Sequence, residues 1–129
     1  MKRLAVAGII LIFILASAAK AGAQVTVVEA SIGTSIAGLK PAGVAGRFPS
    51  TVERLFCYSR VEGAKAGEMI THRWYYKETL LAVIPLEIES PSYRTYSSKK
   101  ILPSWTGRWR VEIVREDGVL LKTLPFTVE

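Results

Sequence analysis

The stretch Gly107–Val128, GRWRVEIVREDGVLLKTLPFTV, constrains the fold more than any other part of the chain. Trp109, Val111 and Ile113 alternate with Arg108, Arg110 and Glu112, the period of two that gives a strand one apolar and one wet face. Asp117-Gly118 then offers two residues tolerant of positive φ, which predicts a tight type I′ hairpin, and a second apolar run returns to Val128. Such a hairpin cannot stand alone in water. Its apolar face has to be covered by other strands.

The chain supplies them. Val25–Ile32, Val52–Val61, Met69–Lys77, Leu80–Glu89 and Tyr93–Ile101 each read as a strand, separated by turn signals about every ten residues. On the second, Leu55, Cys57 and Val61 share a face opposite Arg54, Phe56, Tyr58 and Arg60. On the third, Ile70, His72, Trp74 and Tyr76 turn inward, which leaves Thr71, Arg73, Tyr75 and Lys77 outward. On the fourth, Leu80, Ala82, Ile84, Leu86 and Ile88 are expected inward, and Pro85 places that strand at a sheet edge because proline cannot donate to the ladder. Pro125 hints at an edge in the same way, and the polar Tyr93–Ile101 reads as another. Gly33–Thr51, with its glycines and prolines, reads as a long connection rather than a regular element, and Leu102–Thr106 as a loop. These elements predict an all-β fold, an immunoglobulin-like or fibronectin-like antiparallel β-sandwich of about seven strands. Trp74 is placed to pack over Cys57, as the core tryptophan of immunoglobulin domains packs beside a strand-two cysteine; the second cysteine of those domains is missing.

The first residues do not fit this pattern. Lys2 and Arg3 precede an uncharged apolar run from Leu4 to Ala19, and small residues lead to Ala21-Gly22-Ala23. This describes a secretory signal peptide over residues 1–23, with cleavage after Ala23. The alternative is an uncleaved anchor formed by residues 4–19, although the run is shorter than the roughly 20 residues a spanning helix needs. The organisation expected is a signal peptide (1–23), a first strand with its Gly/Pro-rich connection (24–51) and a sandwich domain (52–129), in the periplasm or secreted. Cleavage would remove Lys2, Arg3 and Lys20 and lower the formal net charge from +6 to +3. So modest a balance, in an exported protein, argues against nucleic acid as a partner.

Rare residues narrow the chemistry. One Cys excludes an internal disulfide, and one Cys with one His is a poor start for a zinc site. The chain has no Asn and therefore no glycosylation sequon. No metal or cofactor is expected. Cys57 and His72 face inward on what read as adjacent strands, where a thiol–imidazole pair would make a nucleophile. The only Asp lies at a hairpin tip, however, and Cys57 reads as a core residue; His72 reads as a strand-end histidine held by backbone carbonyls. No residue is assigned a catalytic role.

The binding candidates lie on faces. Arg73, Tyr75, Arg108 and Arg110 point outward on two strands expected to be neighbours in one sheet, a basic stripe with an aromatic residue in it. That combination suits an anionic glycan or polymer, or an acidic patch on a partner protein. A secondary candidate is the RTYSSKK run, with Arg94, Ser98 and Lys99, which reads either as an anion cradle or as a charged edge that resists aggregation.

From Leu55 onward the chain resembles the bacterial domain family of unknown function DUF2914. The resemblance rests on LFCYSRVEGAKAG, ITHRWYYK, YRTYSSKKILPSWTGRWRVEIV and the closing DG hairpin with Phe126. It implies a small exported or membrane-associated β-domain and brings no catalytic residue. The reading that follows is a non-enzymatic extracytoplasmic binding module of the bacterial envelope, with a protein or an anionic polymer or glycan as partner. Membrane contact is expected only if the N-terminal segment stays uncleaved. The alternatives are a thiol- and histidine-dependent enzyme using Cys57 and His72, and a structural accessory domain of a membrane complex.

Overall fold

A computed structural model describes residues 24–129; the expected signal peptide, its cleavage site and the alternative anchor lie outside the described residues. Ten strands form, and no helix is present among the described residues: β1 (Thr26–Gly33), β2 (Ser35–Ala37), β3 (Lys40–Ala42), β4 (Arg47–Phe48), β5 (Arg54–Glu62), β6 (Met69–Tyr76), β7 (Thr79–Glu87), β8 (Ser92–Lys100), β9 (Gly107–Arg115) and β10 (Leu120–Val128). Two sheets face one another, ordered β1-β5-β8 and β4-β10-β9-β6-β7, with β2 and β3 paired as a separate small hairpin. The pairing is antiparallel except where β4 runs parallel to β10. The order matches the A-B-E and G-F-C-C′ sheets of an immunoglobulin-like sandwich, with the chain crossing from β7 to β8 without a D strand.

Alternation decides what fills the interior. Leu55, Cys57 and Val61 from β5 meet Ile70, Trp74, Val111, Ile113 and Phe126 from the facing sheet in one core cluster. Trp74 lies edge-on to Phe126 at 6.2 Å, and Phe126 stacks on Trp109 at 5.8 Å. From Trp109 the aromatic packing continues to Tyr76 at 5.0 Å and to Trp105 at 5.8 Å, which ties the Leu102–Thr106 loop to the end of the sandwich. The indole N–H of Trp109 donates to the Trp105 carbonyl at 2.9 Å, and the Tyr76 hydroxyl donates to the Thr106 carbonyl at 2.7 Å. Aromatic pairs of this kind add about 0.5–1.5 kcal/mol each beyond the area they bury.

Three local expectations are corrected. Residues 33–51 are not a plain connection: they hold β2, β3 and β4, and Phe48 packs edge-on to Phe126 at 6.0 Å. Backbone bonds fix β4, with the Thr127 N–H donating to the Gly46 carbonyl at 2.9 Å and the Glu129 N–H to the Phe48 carbonyl at 2.9 Å. The last hairpin is not type I′. Asp117 keeps negative φ and only Gly118 turns positive, at 91°, so the loop is the three-residue kind that ends in a left-handed glycine. The Asp117 carboxylate explains the choice: it accepts from the Val119 N–H at 3.2 Å and pairs with Arg115 at 2.7 Å, which holds its pKa down to about 2. The third correction is Leu80, expected inward and found 44% exposed, because a register shift between Trp74 and Tyr75 reverses the end of β7. Two of the edge assignments agree with the topology, since β7 and β8 border their sheets; β10 does not, because β4 pairs beside it at Thr127 and Val128, and Pro125 is tolerated there because it lies beyond the reach of that short strand.

Candidate functional site

Among the described residues the interior holds one polar cluster, and it is closed. His72 is 0% exposed in the middle of β6, with Nε2 2.7 Å from the Ser59 hydroxyl and Nδ1 2.6 Å from the Ser97 hydroxyl. Ser97 also accepts the Trp74 indole N–H at 3.0 Å. A neutral imidazole has one donor and one acceptor, so the two serines satisfy it completely. Burial lowers the His72 pKa to about 4 and keeps the ring uncharged near neutrality. The expected strand-end histidine with backbone partners is thus replaced by one bridging the two sheets through side chains.

Cys57 and His72 are not on adjacent strands. β5 and β6 belong to opposite sheets, and both ring nitrogens of His72 are already taken by serines. The Cys57 thiol is fully buried, and burial pushes its pKa far above the ordinary value. Cys57→Ala is expected to cost about 1–2 kcal/mol, measured by urea denaturation, for the buried volume lost. Native protein should resist thiol reagents until it unfolds. No group of three or more metal-ligating side chains occurs among the described residues.

The surface candidates are brought together as two outer faces. β6 and β9 pair directly, which places Arg73, Tyr75, Arg108 and Arg110 on the outer side of the five-stranded sheet. Register sets out its rows. Leu80, Tyr75, Arg110 and Pro125 form one, Val83, Arg73, Glu112 and Thr123 the next, and Pro85, Thr71, Val114 and Leu120 a third. The Arg110 guanidinium lies 3.9 Å above the Tyr75 ring, donates to Glu112 at 3.1 Å and to the Lys77 carbonyl at 3.2 Å. Glu112 also stands opposite Arg73 in the ladder. The stripe is therefore less basic than its arginines suggest. What flanks it is apolar: Val83 is 54% exposed and Leu120 52%.

The secondary candidates divide. Arg94 and Ser98 face outward from the three-stranded sheet, where Ser98 accepts from the Arg54 guanidinium at 2.8 Å. Lys99 lies on the opposite side, in register with buried Leu55, and its ammonium sits 4.9 Å over the Trp105 ring. Partial burial first, then Arg54 and Lys100, lowers its pKa. The sequence reading passed over the neighbours that Arg94 and Ser98 acquire. Tyr96 lies opposite Tyr58, Ser98 opposite Phe56, and Arg94 opposite Arg60. The outward parity of Phe56, Tyr58 and Arg60 was visible; their pairing partner was not.

Residues 67–128 match the model of a family described as protein of unknown function (DUF2914). The match starts at Gly67, so most of LFCYSRVEGAKAG, which the resemblance included, lies ahead of it. It takes in β6 to β10 whole, and with them four of the five strands that carry the Tyr75–Arg110 face. No curated protein matches the chain.

Proposed function

We propose that this chain, which from Gly67 to Val128 belongs to DUF2914, is a non-enzymatic extracytoplasmic module that docks a partner protein through the outer face of its five-stranded sheet. The observation that carries this reading is the Arg110 guanidinium held over Tyr75 amid Leu80, Val83 and Leu120, all exposed. Buried arginine and tyrosine anchors dominate protein interfaces, and lysine is depleted there. Fixing Arg110 between a ring, a carboxylate and a carbonyl lowers the entropy it would lose on docking. Glu112 already serves Arg110, while Arg73 and Arg108 make no ion pair with a described residue and are free to meet acidic groups of the partner. The exposed apolar Leu80, Val83 and Leu120 around them favour a protein over a polymer on this face.

The thiol enzyme is the weaker alternative, since Cys57 and His72 are both sealed in the core. The positive, apolar and small-residue segments at the N-terminus support an envelope location.

Binding and stability should separate on this surface. Arg73→Ser with Arg108→Ser is expected to change stability by less than about 1 kcal/mol per site, because both side chains reach solvent. The same double variant should weaken binding to the partner about tenfold, roughly 1.4 kcal/mol, and Val83→Glu should weaken it further. Partner affinity measured by titration on the folded variants decides this. Unchanged affinity in both would exclude the face.

A further inference from the structure

The opposite side of the sandwich carries a groove, built from residues that play no part in the docking face. Its floor is the outer surface of β5 and β8. Arg94 stands directly across from Arg60, and Tyr96 across from Tyr58. Like charges placed opposite one another in a ladder repel. Arg60 is neutralised by Glu29 at 3.2 Å and Glu62 at 2.9 Å, whereas Arg94 makes no ion pair with any described residue. The guanidinium fork of Arg94 is left open to solvent.

A wall rises beside it. The β2–β3 hairpin packs against β5 and turns through Gly38 and Leu39, both at positive φ, 58° and 59°. A leucine in this conformation is strained, and it is also 57% exposed, so burial does not repay the strain. Its side chain lines an open pocket of about 360 Å³ with Arg60, Ser92, Tyr93 and Arg94. Beyond the pocket, Tyr96 is 44% exposed, and its ring stands 6.2 Å from that of Phe56. Further along the same strand and face come Ser98, holding Arg54 at 2.8 Å, and then Lys100. Six residue steps of strand lead from Arg94 to Lys100, roughly 20 Å.

We propose that this groove binds an acidic polysaccharide lying along β8, with a carboxylate of one sugar in the fork of Arg94, a ring face against Tyr96, and further acidic groups toward Arg54 and Lys100. The order of cation, aromatic ring and cation fits a chain that alternates acid groups with C–H faces. Inorganic polyphosphate has nothing apolar to lay against Tyr96 and Phe56. A bidentate guanidinium–carboxylate pair supplies direction as well as charge.

Titration calorimetry with oligogalacturonate about ten units long, at low salt, tests the site. Saturable binding is expected, and it should weaken as salt rises. Arg94→Ser should lower affinity at least tenfold, Tyr96→Ala at least threefold, and Arg94→Lys should fall between wild type and Arg94→Ser because the charge remains without the fork. Arg73→Ser, on the other sheet, should bind as wild type, which keeps this outcome separate from that of the docking face. Far-ultraviolet circular dichroism verifies that each variant is folded. Absence of binding, equal losses in Arg94→Ser and Arg73→Ser, or tighter binding of polyphosphate of similar length would each overturn the proposal.

Discussion

Trp74→Ala is expected to remove about 3–5 kcal/mol of stability, a large fraction of the 5–15 kcal/mol that holds a domain folded. Trp74 is 0% exposed at the centre of β6, lies edge-on to Phe126 and donates to Ser97. Its removal opens a cavity between sheets that cannot close without breaking the ladders on either side, and it deprives Ser97 of a donor. Trp74→Phe keeps most of the volume but loses the N–H and part of the ring, so a loss of about 1–2 kcal/mol is expected. Urea midpoints for the two variants measure the difference. Equal losses would mean that the hydrogen bond, rather than the packing, holds this position.

The second large effect is acid sensitivity set by one residue. His72 titrates near 4 in the folded chain against an ordinary 6.5, so on acidification the unfolded chain takes up the proton first. Stability from this group is complete above about pH 6.5, falls as pH drops through that window, and is exhausted below about 4, a total of about 3 kcal/mol. The chain has no other histidine. Asp117, with its pKa lowered from 3.8 to about 2, acts in a lower window: its contribution is present above 3.8 and lost toward 2. His72→Leu should flatten stability between pH 6.5 and 4. It should also cost about 2–4 kcal/mol at neutral pH, because the hydroxyls of Ser59 and Ser97 lose the imidazole, and Ser97 keeps only the Trp74 N–H. Equilibrium unfolding across this range reads both effects at once. A wild-type curve flat over the window would mean that the buried ring is not held neutral.

Much of this architecture was legible because strands with one wet face announce themselves. The alternation through Trp109–Ile113 and Ile70–Tyr76 placed Trp74 inward and Arg73, Tyr75 and Arg110 outward, as found. The His72 cluster was not legible. Its partners Ser59 and Ser97 lie 13 and 25 residues away on the other sheet, and only the folded register brings them to the ring. β2, β3 and β4 escaped for a different reason: strands of two or three residues are too short to show a period, and pairing with neighbours creates them. Tyr58 was assigned to an outer face by parity and is nonetheless buried, with the β2–β3 hairpin lying against β5. Lys99 illustrates the reverse case. Adjacent residues on a strand point to opposite sides, so Ser98 and Lys99 were never one cradle.

Docking through the five-stranded face is tested most directly by photocrosslinking in the native cell, with a photoreactive residue placed at Val83 on that face or at Val28 on β1. Both positions are exposed, at 54% and 40%, so reactivity toward solvent does not favour one strongly. A single discrete adduct from Val83, lost when Arg73 and Arg108 are changed to Ser and absent from Val28, is the predicted result. Adducts of equal yield from both positions, or a Val83 adduct that survives the double substitution, would contradict it.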